Sequence, residues 1–244
     1  MKDPKRINKF ISDTGYCSRR AADELISKGQ VTVNGKKAEI GTKVEENDIV
    51  RVMGKSLKED SPRIYLAFHK PIGVTSTTDQ SDPDNIIDYI GYKDRIFPIG
   101  RLDKMSEGLI FLTNDGDIVN KILRAGNNHE KEYEVTVDRP ITDEFLRKMG
   151  KGVKILDTIT KPCQVKGLTK YKFKIILTQG LNRQIRRMCE VLGYDVMKLK
   201  RIRIMNVSLK GLEVGKWRYL TQAEMKAIDK MIAASSKTEE ASMV

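Results

Sequence analysis

In the stretch Gly100-Arg101-Leu102-Asp103-Lys104-Met105-Ser106-Glu107-Gly108, a carboxylate stands beside an arginine in a glycine-bounded loop. The apolar run Leu109-Ile110-Phe111-Leu112-Thr113 follows at once and reads as a buried strand. A loop anchored in that way can hold one acid at the mouth of a cleft. Asp103 there can act as a nucleophile or a base, or it can simply cap the turn by accepting backbone N–H groups.

Two further side chains are placed where they could serve such an acid. Ile185, Met188, Cys189 and Leu192 recur at i, i+3, i+4 and i+7, which predicts an amphipathic helix. At about 100° per residue, Arg186 falls at the edge of that stripe, while Arg183 and Arg187 point further out. An edge arginine is either partly buried, and then needs an acidic partner, or faces solvent or RNA. Tyr133 alternates with Val135 and Val137 on one face of a predicted strand, so it is either a core ring or an aromatic platform at a strand end.

Other chemistries are poorly supported. Gly54-Lys55-Ser56 lacks the leading glycine of a phosphate loop, since Ile49 stands there. The chain has two histidines, His69 and His129, and three separated cysteines, Cys17, Cys163 and Cys189. That supply points to neither a zinc site nor a disulfide framework, and it suits a reducing compartment. The N-terminus leads into no apolar signal core, and no apolar run approaches membrane-spanning length. These features predict a cytoplasmic protein without a membrane partner, metal or cofactor.

Charge points to a polyanion. The 244 residues carry a formal net charge of +12, from 45 Lys and Arg against 33 Asp and Glu. Ten basic residues and two acidic ones lie between Tyr171 and Lys210, which sets the basic excess in the C-terminal half. Within that span Lys198, Lys200, Arg201 and Arg203 are interleaved with Leu199 and Ile202, a pattern that fits either tracking of a phosphate backbone or a solvated charged face.

The elements that position these residues fall into two parts. Residues Arg6 to about Met53 predict a helix ending at Gly15 and a second capped by Ser18 and stopped by Gly29. A tight turn at Asn34-Gly35 then joins two strands. Gly54 to Pro62 is polar and reads as a linker. From Ile64 onward, strands are expected at Tyr65–Phe68, Leu109–Thr113, Tyr133–Val137 and Tyr171–Leu177. Helices are expected from Thr142 to Gly150, from Asn182 to Leu192, and after a capping box at Thr221 to Glu224. Strands scattered among helices without regular βαβ spacing predict an α+β fold.

The motifs resemble those of the RsuA-type pseudouridine synthases. The resemblance rests on Gly100 to Asp103, Leu112 to Gly116, Lys131-Glu132-Tyr133-Glu134-Val135, Gln179 to Met188, and Lys70-Pro71-Ile72-Gly73-Val74-Thr75-Ser76. It implies that Asp103 is the catalytic carboxylate, that Arg186 pairs with it and that Tyr133 stacks on the target base. Ile185 would line the pocket, Lys70 and Pro71 would shape its wall, and Arg101, Arg183 and Arg187 would meet the substrate. The N-terminal part resembles the α-L RNA-binding module of the ribosomal protein S-four type. There Arg6, Lys9, Ser18, Arg19 and Arg20 would bind RNA, as would Lys198, Lys200, Arg201 and Arg203 in the second part.

The resemblance further implies an α+β catalytic domain with a mixed, largely antiparallel sheet and a central cleft. The expected organisation is an RNA-binding module with linker over 1–60, the catalytic domain over 61–232 and a disordered tail over 233–244. The implied partner is large-subunit ribosomal RNA, with transfer RNA as a second substrate, acted on by a monomer. A non-catalytic RNA-binding or assembly factor would explain the charge and the module equally well, but not the set Asp103, Tyr133 and Arg186. DNA binding lacks a recognition-helix signature.

Overall fold

The computed structural model describes residues 3–58, 62–123 and 128–233. The chain divides into two compact units. One runs through Ile64 and takes in Lys93–Arg95 and Asn114–Gly116, and the other contains the remainder. The expected tail beyond Ala233 lies outside the described residues.

In the first unit, helices Ile7–Asp13 and Arg19–Ser27 bury Ile7, Ile11, Ala22 and Ile26 against Val31, Val50 and Val52. Ser18 starts the second helix by accepting the Ala21 N–H at 3.1 Å, as its position in the sequence indicates. Asn34 and Gly35, with φ of 51° and 82°, turn Val31–Val33 back onto Lys36–Lys37. A second hairpin replaces the start of the expected linker. Met53 and Gly54 take φ of 48° and 81°, and Lys55–Ser56 pairs with Val50–Val52. Methionine carries no turn signal, so only half of that turn was visible in the sequence. Residues 59–61 of the expected linker lie outside the described residues.

Among the described residues, the second unit is built on a nine-stranded mixed sheet. Its main path runs Gln164–Thr169, Lys172–Leu177, Lys131–Val137, Val196–Ile204, Glu107–Thr113, Tyr65–Lys70 and Trp217–Tyr219. Neighbours on this path are antiparallel except Val196–Ile204 and Glu107–Thr113, which run parallel. The parallel contact is brief, with Lys200 opposite Glu107 and Arg201 opposite Gly108. Beyond it, Phe97–Ile99 takes the place beside Glu107–Thr113, with Ile99 opposite Phe111 and Phe97 opposite Thr113. The sheet therefore divides at its centre.

Gly108 permits that division. Its φ is 124°, and an added Cβ would lie 2.3 Å from the Arg201 carbonyl oxygen and 2.5 Å from its nitrogen. Nothing larger than glycine lets the two backbones meet there. One face of the sheet buries Leu109, Phe111, Ile204 and Val207 against Ile118, Ile122 and Ile228 of two helices. Thr142 caps the Asp143–Lys151 helix through the Phe145 N–H. That helix runs past Gly150, its expected end, and stops at Gly152. Gly150 is instead a contact position, because a Cβ would approach the Cys163 carbonyl oxygen to 3.2 Å. The capping box at Thr221 and Glu224 forms as expected, before the Gln222–Ile232 helix.

Candidate active site

Where the sheet divides, it leaves a cavity of about 390 Å³. Asp103, Tyr133, Ile185 and Arg186 all line it, as do Arg101 and Arg183. Residues from the loop before Glu107–Thr113, from the Lys131–Val137 strand and from the Gln184–Val191 helix with its N-cap are thus brought to one cavity.

The Asp103 loop is held from both sides by the segment after the Tyr65–Lys70 strand. Ser76, itself buried, accepts the Leu102 N–H at 3.1 Å and donates its hydroxyl to the Leu102 carbonyl at 2.9 Å. On the other side, the Gly73 N–H donates to the Lys104 carbonyl at 2.9 Å. The Lys70 Nζ donates to the carbonyls of Pro71 and Val74 at 2.8 and 2.7 Å, and more weakly to that of Lys104. Burial pushes the pKa of the Lys70 ammonium down to about 8, against the attraction of Asp103. Lys70 and Pro71 do not line the cavity, which corrects their expected role as its wall. They shape it indirectly, by fixing the backbone that carries Asp103.

We expect Ser76→Ala to remove both bonds to Leu102 at a cost of about 1–3 kcal/mol, because buried partners would be left unmet. Thermal denaturation measures that cost. Single-turnover rates should fall further than the lost folded fraction accounts for, because Asp103 would be less well placed.

Arg186 reaches Asp103 from the Gln184–Val191 helix. Its Nε lies 3.7 Å from the Asp103 Oδ2, an ion pair at its outer range, and that Nε is buried without a hydrogen-bond partner among the described residues. The other two nitrogens are anchored. Nη1 donates to the Val196 carbonyl at 3.1 Å, and Nη2 donates to the Met105 carbonyl at 3.0 Å. Burial lowers the Arg186 pKa, and Asp103 opposes that. Arg183, more exposed, approaches the same carboxylate at 3.9 Å.

Arg183, not Asn182, occupies the helix N-cap. It sits at φ 50° with no side-chain cap, and Gln184 accepts the Leu181 N–H instead. A left-handed non-glycine residue at the rim of a site is local strain held by its surroundings. Arg187 folds back to Asn182 through its Nε and Nη2 and does not line the cavity.

Tyr133 is only 9% exposed and presents its ring to the cavity. Arg201 is its cross-strand partner, with the guanidinium carbon 6.0 Å from the ring centroid. The expectation that Arg201 tracks phosphate on an outer face is corrected, because Arg201 is 4% exposed and turns inward. The other three residues of that set face elsewhere. Lys198 is exposed, Lys200 pairs with Glu107 at 2.7 Å, and Arg203 bridges Glu130 and Glu132. Lys131, missed in the sequence, also lines the cavity. The period-two alternation that grouped Tyr133 with Val135 extends back to it. In the first unit, Arg6, Ser18, Arg19 and Arg20 are exposed, whereas Lys9 is engaged with Asp13.

A carboxylate beside arginines, at the edge of a cleft with an aromatic wall, suits an enzyme that takes one nucleotide out of a stack. The comparisons agree. Residues 64–191 match the RNA pseudouridylate synthase family, and residues 5–50 match the S4 domain. The chain belongs to the RNA pseudouridylate synthase family and is an RNA-modifying isomerase with an N-terminal S4 domain.

It is 58% identical over 233 residues to the dual-specificity RNA pseudouridine synthase RluF of Salmonella typhi, covering 95% of this chain and 81% of that protein. The ribosomal large subunit pseudouridine synthase B of Bacillus subtilis is 36% identical, covering 92% of this chain and 95% of that protein. A crystal structure of a pseudouridylate synthase superposes with a TM-score of 0.68 at 26% identity, covering 91% of this chain and 99% of that one. Among the described residues, no helix is long and apolar enough to cross a membrane.

Proposed function

We propose that this protein isomerises a specific uridine in a stem-loop of large-subunit ribosomal RNA, with transfer RNA as a second substrate. The observation that carries the reading is that Asp103, Arg186 and Tyr133 line one cavity, with Arg186 beside Asp103. The name of the Bacillus relative supports the ribosomal substrate, and the words dual-specificity in the name of the Salmonella relative support a second one.

The uridine must leave its helix, because its glycosidic bond is out of reach inside a stack. The extruded base lies on Tyr133. Asp103 then acts on the ribose, either as a nucleophile at C1′ or as a base toward the C2′ proton. Arg186 holds the carboxylate in place meanwhile. The bond from N1 to C1′ breaks, the base turns, and C5 bonds to C1′ as the Asp103 bond to C1′ breaks or the C2′ proton returns; C5 then loses its proton and N1 gains one. The cavity keeps water away while the base is detached. The protein works as a monomer in the cytoplasm.

Comparing pseudouridine maps of RNA from cells with and without this gene tests the substrate. A site missing from large-subunit ribosomal RNA in the deleted strain is the expected result. Changes confined to other RNA would overturn it.

Residues 1–60 supply affinity and site choice but no chemistry. They enclose their own apolar core, and the proposed catalytic residues all lie beyond them. Removing residues 1–60 should leave a folded, active cleft that binds structured RNA more weakly. Undiminished affinity of the shortened protein would refute this. Arg19→Ala with Arg20→Ala should reduce the salt dependence of binding, by about one unit of slope per lost phosphate contact.

Tyr133→Ala should weaken base capture by roughly 1–3 kcal/mol, the usual worth of base–aromatic stacking. Tyr133→Phe should retain most of it. Titration against substrate RNA and single-turnover rates measure the two. An alanine variant with parental rates would reduce Tyr133 to a core residue.

A further inference from the structure

Two buried cations in the cavity are unexplained by the roles given above. Lys131 and Arg201 are 7% and 4% exposed, and both line the cavity. The Lys131 Nζ donates to the His129 carbonyl at 3.3 Å. The Arg201 Nε donates to the Leu109 carbonyl at 2.6 Å, but its Nη2 is buried with no hydrogen-bond partner among the described residues. Neither cation meets a carboxylate among those residues.

Burying an unpaired positive charge is costly, and a neutral residue could pin the strands more cheaply. Burial, with Arg201 adding to it, pushes the pKa of the Lys131 ammonium down to about 8, so it stays mostly protonated at neutral pH. Phosphate contact does not account for the pair. The RNA backbone stays near solvent, where the exposed Arg101 and Arg183 stand at the rim. Lys131 and Arg201 lie deeper, beside the ring proposed to carry the base. Among the described residues lining the cavity, five are basic and only Asp103 is acidic.

The reaction creates a charge at that depth. When the bond from N1 to C1′ breaks, its electron pair leaves with the uracil, which becomes an anion delocalised over N1, O2, C5 and O4. The pair is later used as C5 bonds to C1′. The proton on C5 then leaves and N1 gains one, so the product is an isomer and nothing is oxidised or reduced.

We propose that Lys131 and Arg201 form a buried cationic floor that stabilises the detached uracil as an anion. They act through the low-dielectric interior, where a fixed charge counts far more than in water. This rests on the reading of Asp103 as the group that acts on the ribose.

The test varies the leaving group. The target uridine is first located as the one that the intact protein converts in total RNA from cells lacking the gene. An oligonucleotide carrying it is then made with uridine or with 5-fluorouridine, whose base departs as the weaker base. Loss of the intact nucleoside is followed by chromatography of nuclease digests under single-turnover conditions.

Arg201→Gln and Lys131→Met should slow the uridine reaction by about 10²–10³-fold, the usual effect of losing one preorganised donor. The deficit should shrink clearly on 5-fluorouridine, and Lys131→Arg should recover most of the rate. Equal deficits on both substrates would overturn the proposal, because a purely structural defect cannot distinguish them. Parental rates for the variants would overturn it as well. If Arg201→Gln does not fold, Lys131→Met carries the comparison. A target outside large-subunit ribosomal RNA would overturn the substrate reading alone, and an active Asp103→Asn would overturn the role of Asp103.

Discussion

Asp103→Asn should abolish pseudouridine formation while the fold and RNA binding persist. Asparagine has nearly the same size and keeps one oxygen acceptor, but it can neither attack C1′ nor take a proton as a carboxylate does. The loop should hold its shape without the charge. Its backbone is fixed by Ser76, Gly73 and Lys70, and the Arg186 Nε stands 3.7 Å away, beyond hydrogen-bond reach. The expected loss is about 10³-fold or more, equivalent to roughly 4 kcal/mol of barrier. Single-turnover conversion of substrate RNA measures it, alongside a binding titration. Conversion near the parental rate would remove Asp103 from the chemistry.

The division of labour around Asp103 shows what the sequence could and could not reveal. Local signals were clear where one residue type is required by backbone geometry or by a cap. Ser18, Asn34 with Gly35, and Thr221 with Glu224 each act within a few residues of themselves, so their spacing was enough. Gly150 and Gly152 show where that reasoning fails. Both are glycines near a helix end, and both lie against a backbone carbonyl, so only the φ of 102° at Gly152 tells which is the stop.

The site was legible in its motifs but not in its contacts. Lys70 was expected beside the substrate, yet it serves the backbone carbonyls that hold Asp103. Arg201 stood in a run of basic residues that suggested an outer face. The Val196–Ile204 strand instead alternates, with Arg201 inward and Lys200 toward Glu107. A charged run in a strand has two faces, and which one is buried depends on the partner strands. Those partners come from the parallel contact at Gly108, a long-range pairing that no local pattern carries.

Arg186→Lys should fail almost as completely as Arg186→Met, although it keeps the charge. The guanidinium occupies three directions at once, toward the Val196 carbonyl, the Met105 carbonyl and Asp103. A lysine ammonium is a compact point charge that cannot span these positions from one helix residue. Both variants would leave the part-buried Val196 carbonyl without its donor, at a cost of about 1–3 kcal/mol, whereas water can take over at the exposed Met105 carbonyl. Because the Met105 and Val196 carbonyls tie the Asp103 loop and the Val196–Ile204 strand to the helix, the cleft should loosen as well as lose its ion pair. Denaturant titration should show the destabilisation in both variants, with lysine no better than methionine by more than about 1 kcal/mol, the worth of a partly exposed ion pair. Single-turnover rates under fully folded conditions should fall by roughly 10²-fold or more in each, as expected when a reacting group is displaced by about 1 Å. A lysine variant with near-parental rate and stability would show that charge alone is what Arg186 supplies, and that its fixed fork is dispensable.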